Sequence, residues 1–320
     1  MKVTDILKQQ EKKGKPLFSF EVLPPKRGNN INQLYQILDP LMEFQPPFID
    51  VTYHQEDYSY KKVANGLFEK VAIRRRPGTV GICSAIKHKY KVEAIPHLIC
   101  GGFSKCETEG ALIDLNFLGI HNLLALRGDP RKYEKKFMPK EDGHRFAIDL
   151  VRQIAEMNHG KHLDDGVVND LKTDFCVGVA GYPEKHIEAA SYEDDLLNLK
   201  AKVDAGADYI VTQMFFDNRC FFKFVDDCGK IGIDVPIIPG IKPLTKASQL
   251  KSLPTYFYLN FPNDLVKEVK KCKTQKAVRE LGIEWCIAQS QELFESGVPC
   301  IHTYTMGNYK TISKICSAVL

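Results

Sequence analysis

The sequence predicts an α/β fold, a single (β/α)8 barrel of the TIM type with an extra N-terminal helix. Eight short apolar segments alternate with helical segments along the 320 residues, as expected of parallel strands joined by helices. No linker or change of composition divides the chain, so residues 1–320 are expected to form one domain. Polar residues follow the predicted strands, where barrels of this kind place their functional groups. These observations favour a barrel over a doubly wound sheet.

The predicted elements alternate regularly. Apolar residues have helical spacing in residues 1–13, ahead of the first strand. Strands are predicted at residues 17–22, 48–53, 92–100, 121–126, 175–180, 209–215, 236–241 and 300–305. Helices are predicted at residues 31–44, 79–89, 104–118, 145–157, 192–205, 220–231, 246–253, 276–296 and 309–319. Thr79 is a predicted N-cap, Ser104 and Glu107 form a capping-box pattern, and the polar residues 158–174 are expected to be a surface excursion.

Composition excludes several classes of protein. Lys and Arg number 44 against 40 Asp and Glu, and the resulting charge of +4 is too small to indicate a nucleic-acid-binding protein. No apolar run approaches the roughly 18 residues of a membrane helix, and the charged N-terminus lacks a signal peptide's apolar core, so a cytoplasmic protein is expected. The ten cysteines contain no Cys-x-x-Cys pair, which indicates reduced thiols and no metal site. Neither Gly-x-Gly-x-x-Gly nor Gly-x-x-x-x-Gly-Lys occurs, which excludes the Rossmann and P-loop nucleotide sites.

Glu21 is the leading candidate for chemistry. It interrupts the strand-like run Phe-Ser-Phe-Glu-Val-Leu-Pro-Pro, and the prolines place it near the carboxyl end of the first strand. Burial of an ionised carboxylate is costly, so Glu21 is expected either to be paired or to have a raised pKa and hold a proton near neutral pH. A protonated carboxyl can act as a general acid. The alternative is an ordinary strand glutamate that is paired or faces solvent.

Other polar groups also follow predicted strands. Arg127, Gly128 and Asp129 combine a guanidinium, a residue that permits close approach and a carboxylate, although a surface ion pair in a turn has the same pattern. Tyr182 and His186 lie in a segment that is either a binding loop or a plain polar loop. Further polar residues at strand ends are Thr52, Tyr53, His54, Gln213, Lys242, His302, Thr303 and Tyr304.

Three of the candidates have alternatives that the residues leave open. An amide in an apolar strand, such as that of Gln213, needs partners, which a planar heterocycle or a neighbouring strand could supply. His97 is expected to be a hydrogen-bonded core histidine, since no second ligand lies at metal-binding spacing. A basic loop contains Lys132, Lys135, Lys136 and Lys140, which could attract an anionic substrate or simply be solvated.

Several motifs give the sequence a specific resemblance. They are Phe-Glu-x-x-Pro-Pro at 20–25, Asp-Val-Thr-Tyr at 50–53, Pro-His-Leu at 96–98, Leu-Arg-Gly-Asp at 126–129, Tyr-Pro-Glu-x-His at 182–186, Asp-Leu-Leu-Asn-Leu-Lys at 195–200, Thr-Gln-x-Phe-Phe-Asp at 212–217 and Ile-Pro-Gly-Ile at 238–241. With these strings in this order, the chain resembles the methylenetetrahydrofolate reductase family over nearly its whole length.

The resemblance implies a flavoenzyme that assembles as a homo-oligomer. It would use FAD and NADH or NADPH to reduce 5,10-methylenetetrahydrofolate to 5-methyltetrahydrofolate. Glu21 would be the general acid that helps open the imidazolidine ring to an N5 iminium, and Asp129 would lie beside the flavin and the pterin. Gln213 and Gln249 would contact the substrate. The implied FAD-binding residues are Thr52, His97, Arg127, Gly128, Asp129, Phe146, Ala147, Ala180, Tyr182, His186, Asp195, Asn198 and Lys202.

The chain departs from the family pattern at a few positions. Phe146 replaces a common tyrosine, Ala201 a basic residue, Asn308 an arginine that would contact folate, and Leu253 a phenylalanine found in some members. The resemblance also implies that the regulatory domain of longer members, and control by S-adenosylmethionine, are absent. Two other hypotheses remain: a barrel lyase that uses Lys242 as a Schiff-base lysine, and a non-catalytic folate-binding subunit.

Overall fold

The computed structural model describes residues 1–131, 134–164, 166 and 172–320. In this part of the chain, nine short parallel strands form a nearly closed barrel, which confirms the predicted α/β barrel. The strands are β1 (Leu17–Val22), β2 (Phe48–Val51), β3 (Asp57–Lys62), β4 (Phe68–Ile73), β5 (Glu93–Ile99), β6 (Asn122–Leu126), β7 (Cys176–Gly181), β8 (Tyr209–Thr212), β9 (Ile237–Ile238), β10 (Gly240–Ile241) and β11 (Cys300–Tyr304). Strands β3 and β4 form a separate antiparallel hairpin.

The barrel closes through a divided seventh strand. The sheet order is β10-β11-β1-β2-β5-β6-β7-β8-β9, so β9 pairs with β8 while β10 pairs with β11. Pro239 separates the two pieces and has no N–H to donate, which interrupts the ladder at that point. Its carbonyl still accepts a hydrogen bond from His302 N at 2.9 Å. The predicted strand at residues 236–241 is therefore two short strands that join the ends of the sheet.

Helices surround the barrel. They are α1 (Val3–Lys13), α2 (Asn32–Leu41), α3 (Thr79–Tyr90), α4 (Lys105–Phe117), α5 (Ala147–Asn158), α6 (Tyr192–Asp204), α7 (Asn218–Lys230), α8 (Gln249–Phe257), α9 (Asn263–Lys271), α10 (Gln275–Glu295) and α11 (Tyr309–Val319). Helix α1 is the predicted extra N-terminal helix, and its buried Val3 and Leu7 pack in one cluster with Phe48 and Tyr209 from the strands. It covers the amino end of the barrel and leaves the carboxyl end open for function.

The amino half of the barrel interior is filled by side chains. Tyr209 is fully buried, and its hydroxyl donates to Leu123 O at 3.2 Å. A Cβ added at Gly178 would lie 2.3 Å from the Tyr209 ring, so only glycine fits beneath it. Because this end is packed solid, the polar interior lies toward the carboxyl ends of the strands.

Several local predictions differ from the structure. Thr79 is the first residue of α3 and not its cap; its hydroxyl donates to His97 O at 3.3 Å. The predicted capping box of Ser104 and Glu107 is confirmed. The β3–β4 hairpin and α9 were not predicted, because the hairpin is polar and largely exposed and α9 buries only two residues. Of residues 158–174, positions 165 and 167–171 lie outside the described residues.

Candidate active site

The polar residues at strand ends share one mouth of the barrel. Glu21 lies near the end of β1, Asp129 follows β6, Gln213 follows β8 and Lys242 follows β10. Since all barrel strands are parallel, their carboxyl ends open on the same side. Glu21 and Asp129, which come from distant parts of the sequence, are therefore on the same side of the fold.

A group of ionisable side chains fills the interior just below this mouth. We call Glu21, Asp50, His97 and His302 the carboxylate–histidine cluster. His97 Nε2 lies 3.6 Å from Glu21 Oε2 and 3.5 Å from Asp50 Oδ2. His302 Nε2 lies 3.9 Å from Glu21 Oε2, and its Nδ1 lies 3.9 Å from Asp50 Oδ1. The Asp50 and His302 side chains have no exposed surface, and that of Glu21 is 13% exposed.

Strand register explains why these side chains meet. Glu21 is paired with Asp50 across β1 and β2, and Ser19 is paired with His302 across β1 and β11. Residues that pair in a parallel sheet point to the same face, and so do residues two apart along a strand. Ser19 and Glu21 therefore point inward together with both partners, and Ser19 Oγ lies 2.9 Å from His302 Nδ1.

The cluster changes the expected ionisation of Glu21. Burial raises the pKa of this carboxyl, but the His302 and His97 imidazoles lower it by more, so the net pKa is below the usual value. Burial lowers the pKa of His97, while the Asp50 and Glu21 carboxylates raise it by more. Of the two expectations for Glu21, a paired carboxylate or a raised pKa, the structure has the first. Desolvation was foreseen, but the two imidazoles beside the carboxylate were not.

The loop that carries Asp129 is held by neighbouring segments. Gln55 Nε2 donates to Asp129 O at 2.9 Å, and Arg127 is bound through both of its terminal nitrogens by Glu188. Gly128 has φ +84°, where a side chain would be strained, and a Cβ at this position would lie 3.1 Å from Ile99. Asp129 itself is exposed. Its backbone is thus fixed at the rim, and its side chain is accessible to a ligand.

A second group of candidate residues lies beyond β7 and in α6. The Tyr182 and His186 rings meet edge to face with centroids 4.7 Å apart, and His186 N donates to Asp195 Oδ2 at 2.8 Å. Lys202 Nζ donates to Ala180 O at 2.7 Å, and burial lowers the Lys202 pKa to about 8. The structure therefore brings these five residues together, although they span more than one element.

The open side of the mouth contains a cavity of about 470 Å³. Its lining includes Lys242, Lys246, Arg279, Gln249 and Asn308 and contains no Asp or Glu, so we call it the cationic cavity. None of the three cations forms an ion pair within the described part of the chain. Burial lowers the pKa of Lys242, which is half-buried. These cations are therefore available to an anionic ligand.

The two candidate glutamines lie in different pockets. Gln249 lines the cationic cavity, and its Oε1 accepts hydrogen bonds from Thr245 N and Lys246 N at 2.7 and 2.9 Å. Gln213 lines a much smaller pocket together with Tyr182, and its Oε1 accepts from Met214 N at 2.9 Å. Each amide oxygen thus accepts hydrogen bonds from nearby backbone N–H groups.

Comparison with known proteins identifies the family. Residues 6–319 match the family model for methylenetetrahydrofolate reductase. The chain belongs to this family. The resemblance expected from its motifs is thereby confirmed, and the family match includes every candidate residue described above.

Named relatives of the family are similar over almost the whole chain. Methylenetetrahydrofolate reductase (NADH) 1 of Arabidopsis thaliana is 34% identical over 96% of this chain and 48% of its own length. Methylenetetrahydrofolate reductase 1 of Schizosaccharomyces pombe is 33% identical over 98% of this chain and 48% of its own length. The 5,10-methylenetetrahydrofolate reductase of Pectobacterium carotovorum is 32% identical over 96% and 91%. The chain spans about half the length of these eukaryotic relatives and most of the bacterial one.

Solved structures support the barrel fold. A Clostridium thermocellum protein described as binding two copies of 5-methyl-5,6,7,8-tetrahydrofolic acid has a TM-score of 0.55 and 14% identity, covering 98% of this chain and 97% of its own. A 2,3-dimethylmalate lyase has a TM-score of 0.51 and 10% identity, covering 97% and 80%. At these identities the likeness shows the fold alone.

The positions where the chain departs from the methylenetetrahydrofolate reductase pattern have local explanations. Asn308 is the N-cap of α11, and its Oδ1 accepts from Thr311 N at 3.4 Å, a role that an arginine could not fill. Leu253 is 6% exposed and packs in an apolar cluster with Met214 and Leu259, so it offers no open stacking face. Phe146 is 49% exposed at the start of α5.

Sequence reasoning missed several residues of the site. Asp50 belongs to a family motif but received no role, and Lys246 and Arg279 were not considered. The alternation of side chains in the second strand could have indicated that Asp50 points inward. Nothing in the sequence indicated that Arg279 reaches the mouth. In the basic loop, Lys132 lies outside the described residues, Lys135 and Lys136 are exposed, and Lys140 pairs with Glu107 at 2.5 Å.

The described residues contain neither a candidate membrane helix nor a candidate metal site. No helix there is both long and apolar enough to cross a membrane. No group of His, Cys, Asp and Glu in the same ranges is arranged to hold a metal ion.

Proposed function

We propose that the protein reduces 5,10-methylenetetrahydrofolate to 5-methyltetrahydrofolate, with FAD as its bound redox cofactor and NADH or NADPH as the reductant. One observation carries the proposal: the Glu21 carboxyl group, with only 13% of its side chain exposed, has an imidazole nitrogen 3.6 Å away at the open mouth of a barrel from this family. We further propose that residues 1–320 act as one catalytic domain and that the protein assembles as a homo-oligomer. Light scattering of the purified protein tests the assembly.

In this proposal Glu21 donates a proton to the substrate. Transfer of a proton from Glu21 to N10 breaks the N10–methylene bond and leaves an N5 iminium, which is a strong hydride acceptor. FAD, when bound, would take hydride from the nicotinamide and supply it to this carbon. Asp129 would stabilise the positive charge that develops on the pterin, since a nearby carboxylate favours a cation. Gln213 would hydrogen-bond the pterin.

The residues expected to hold FAD suit that role. Thr52 Oγ1 is buried without a hydrogen-bond partner in the described part of the chain, so a ligand could satisfy this atom. We also assign His97 to the FAD site, although its Nε2 faces the Glu21 and Asp50 carboxylates. Lys202 provides an ammonium donor, His186 provides an imidazole whose pKa burial lowers, and Gly128 allows close approach. The remaining residues we assign to FAD are Arg127, Asp129, Phe146, Ala147, Ala180, Tyr182, Asp195 and Asn198. Arg127 is already held by Glu188, so it would orient the loop and donate any remaining N–H to the cofactor.

The cationic cavity suits the anionic end of the substrate. Folates end in a glutamate whose carboxylates are negative at neutral pH, and Lys242, Lys246 and Arg279 line the cavity without carboxylate partners among the described residues. Gln249 would contact the same part of the substrate. This arrangement compensates for Asn308, which is neutral and is used as a helix cap.

An absorbance spectrum and a turnover assay test the proposal. The purified protein should be yellow with flavin bands, and it should oxidise NADH or NADPH only when 5,10-methylenetetrahydrofolate or another electron acceptor is supplied. A colourless protein that cannot be loaded with FAD would contradict it.

A lyase is the second candidate, because Lys242 is half-buried and burial lowers its pKa, as a Schiff-base lysine requires. Borohydride treatment in the presence of a carbonyl substrate should leave no adduct on Lys242 if the reductase proposal is right. Trapping on Lys242 in a colourless protein would favour the lyase.

A further inference from the structure

Asp50 has no explanation in the proposed reaction so far. Its side chain has no exposed surface, and neither carboxylate oxygen has a hydrogen-bond partner in the described part of the chain. A buried carboxylate is costly unless a positive charge compensates it. The nearest candidates are His97 Nε2 at 3.5 Å and His302 Nδ1 at 3.9 Å. A protonated imidazole would supply this compensation, and His97 is the nearer of the two.

His97 is placed between two carboxylates. The same atom, Nε2, lies 3.6 Å from Glu21 Oε2 and 3.5 Å from Asp50 Oδ2. Asp50 is at the closed side of this arrangement, whereas Glu21 is the member that retains some exposure. A proton on His97 Nε2 can consequently move toward solvent through Glu21, while Asp50 stabilises the positive charge from its buried side.

The other titratable side chains near the carboxylate–histidine cluster do not supply the positive charge beside Asp50. Other titratable side chains close enough to affect the cluster are His54, Cys83, Tyr209, Lys242, Cys300 and Tyr304. Burial raises the pKa of both thiols and both phenols, so these four groups are neutral. Lys242, at the end of β10, interacts electrostatically with Glu21. Burial lowers the pKa of His54. His97, whose pKa the Asp50 and Glu21 carboxylates raise, is thus the imidazole that can carry a positive charge beside Asp50 in the described part of the chain.

We propose that Asp50 is a positioning residue that keeps His97 protonated beside Glu21, so that His97 supplies a proton to Glu21 in each turnover. The inference rests on the proposed reductase function. In the resting cluster Glu21 is a carboxylate and His97 carries the proton. During the reaction the His97 Nε2–H bond breaks as an O–H bond forms on Glu21, and that O–H bond breaks in turn as N10 gains the proton. This leaves Glu21 a carboxylate again and His97 neutral. A solvent proton restores His97 after product leaves, and this proton is the one that the overall reaction consumes.

The test separates the two half-reactions over a range of pH. Asp50→Asn keeps the shape of the side chain and removes its charge. Reduction of bound flavin by NAD(P)H should change less than about twofold, while reoxidation of reduced flavin by 5,10-methylenetetrahydrofolate should fall about tenfold at about pH 8, corresponding to a shift of about one pH unit in the alkaline limb. Below about pH 6 the two proteins should converge, because His97 is protonated in both.

Two further variants distinguish positioning from general damage. Asp208→Asn removes a partly buried carboxylate that accepts from Val177 N at the other end of the barrel, and it should leave the pH profile unchanged. Asp50→Glu retains the charge and should restore part of the alkaline activity. A uniform loss at every pH in Asp50→Asn, or equal profiles in Asp50→Asn and Asp208→Asn, would overturn the inference.

The wild-type protein provides a readout if Asp50→Asn does not fold. Its folate half-reaction should decline above about pH 7, reflecting a histidine with a pKa above the usual value of about 6.5. A profile that is flat between about pH 6 and 9 would overturn the role of His97. Absence of any folate-dependent reoxidation at neutral pH in the wild-type protein would instead contradict the proposed function itself, so the two failures are distinguishable.

Discussion

The carboxylate–histidine cluster and the cationic cavity lie at the same mouth but handle charge in opposite ways. In the cluster, two carboxylates and two imidazoles are buried together, and the shortest separations are 3.5 and 3.6 Å. In the cavity, Lys242, Lys246 and Arg279 have no carboxylate among the lining residues that the structure describes. Burial demands internal compensation, whereas a cavity open to solvent can leave cations available for a ligand. The comparison assigns proton handling to the interior and anion binding to the rim.

Glu21→Gln should produce the largest effect and tests the interior region. The steady-state rate of folate reduction should fall about 10³-fold, since a positioned general acid contributes about 10²- to 10⁴-fold. Flavin reduction by NAD(P)H should remain within about twofold, because it does not use this proton. Stopped-flow absorbance measures both steps. Equal loss of both half-reactions would contradict the acid role.

Arg279→Ala tests the rim region. We expect the KM for the folate substrate to rise about tenfold, corresponding to about 1.4 kcal/mol, with kcat nearly unchanged, because the lost contact binds substrate and transition state equally. The effect should shrink at high salt. Lys314→Ala is the matched control, since Lys314 pairs with Glu280 at 3.2 Å and does not line the cavity. A large fall in kcat at constant KM would show that the rim and interior are not separate.

Asp129→Asn tests whether the rim also influences the flavin. Removal of a nearby negative charge should make reduction easier and raise the flavin potential by about 30 mV, which corresponds to about 1.4 kcal/mol for two electrons. Equilibrium titration against a reference dye measures the change. An unchanged potential would place Asp129 away from the ring.

The pH dependence of stability should give the smallest effect. The Glu21 pKa is lowered in the fold, so its contribution is present above the ordinary carboxyl pKa and is lost as the pH falls. The His97 pKa is raised, so its contribution is present below the ordinary histidine pKa and is lost as the pH rises through the folded value. The Tm difference between wild type and Glu21→Gln should therefore be largest near about pH 5–6, at about 2 °C. Thermal melts that differ equally at all pH values would contradict this coupling.

Much of the barrel could be predicted because its strands are apolar and regularly spaced. The first strand was predicted with the bounds that β1 has, and the terminal helix with those of α11. The β3–β4 hairpin escaped prediction because its exposed strands lack the apolar alternation that marks a buried strand. Pro239 divides the seventh strand through a missing N–H, a local effect that an apolar run conceals.

The candidate site was less predictable because it depends on contacts between distant residues. Glu21 was identified because a carboxylate in an apolar strand is costly to bury. The direction in which its pKa shifts depends on His97 and His302, which come from other strands. In the sequence, Asp50 is one residue of an ordinary strand. Its role becomes visible only when the strand register pairs it with Glu21. Arg279 lies on a helix, and its position at the mouth follows from tertiary packing alone.

A single-turnover reaction tests the central claim most directly. Protein with pre-reduced flavin is mixed anaerobically with 5,10-methylenetetrahydrofolate at neutral pH, and flavin absorbance and folate products are followed together. The account predicts rapid reoxidation with one 5-methyltetrahydrofolate formed per flavin, and almost none in Glu21→Gln. Reoxidation at equal rates in both proteins, or without formation of 5-methyltetrahydrofolate, would contradict it.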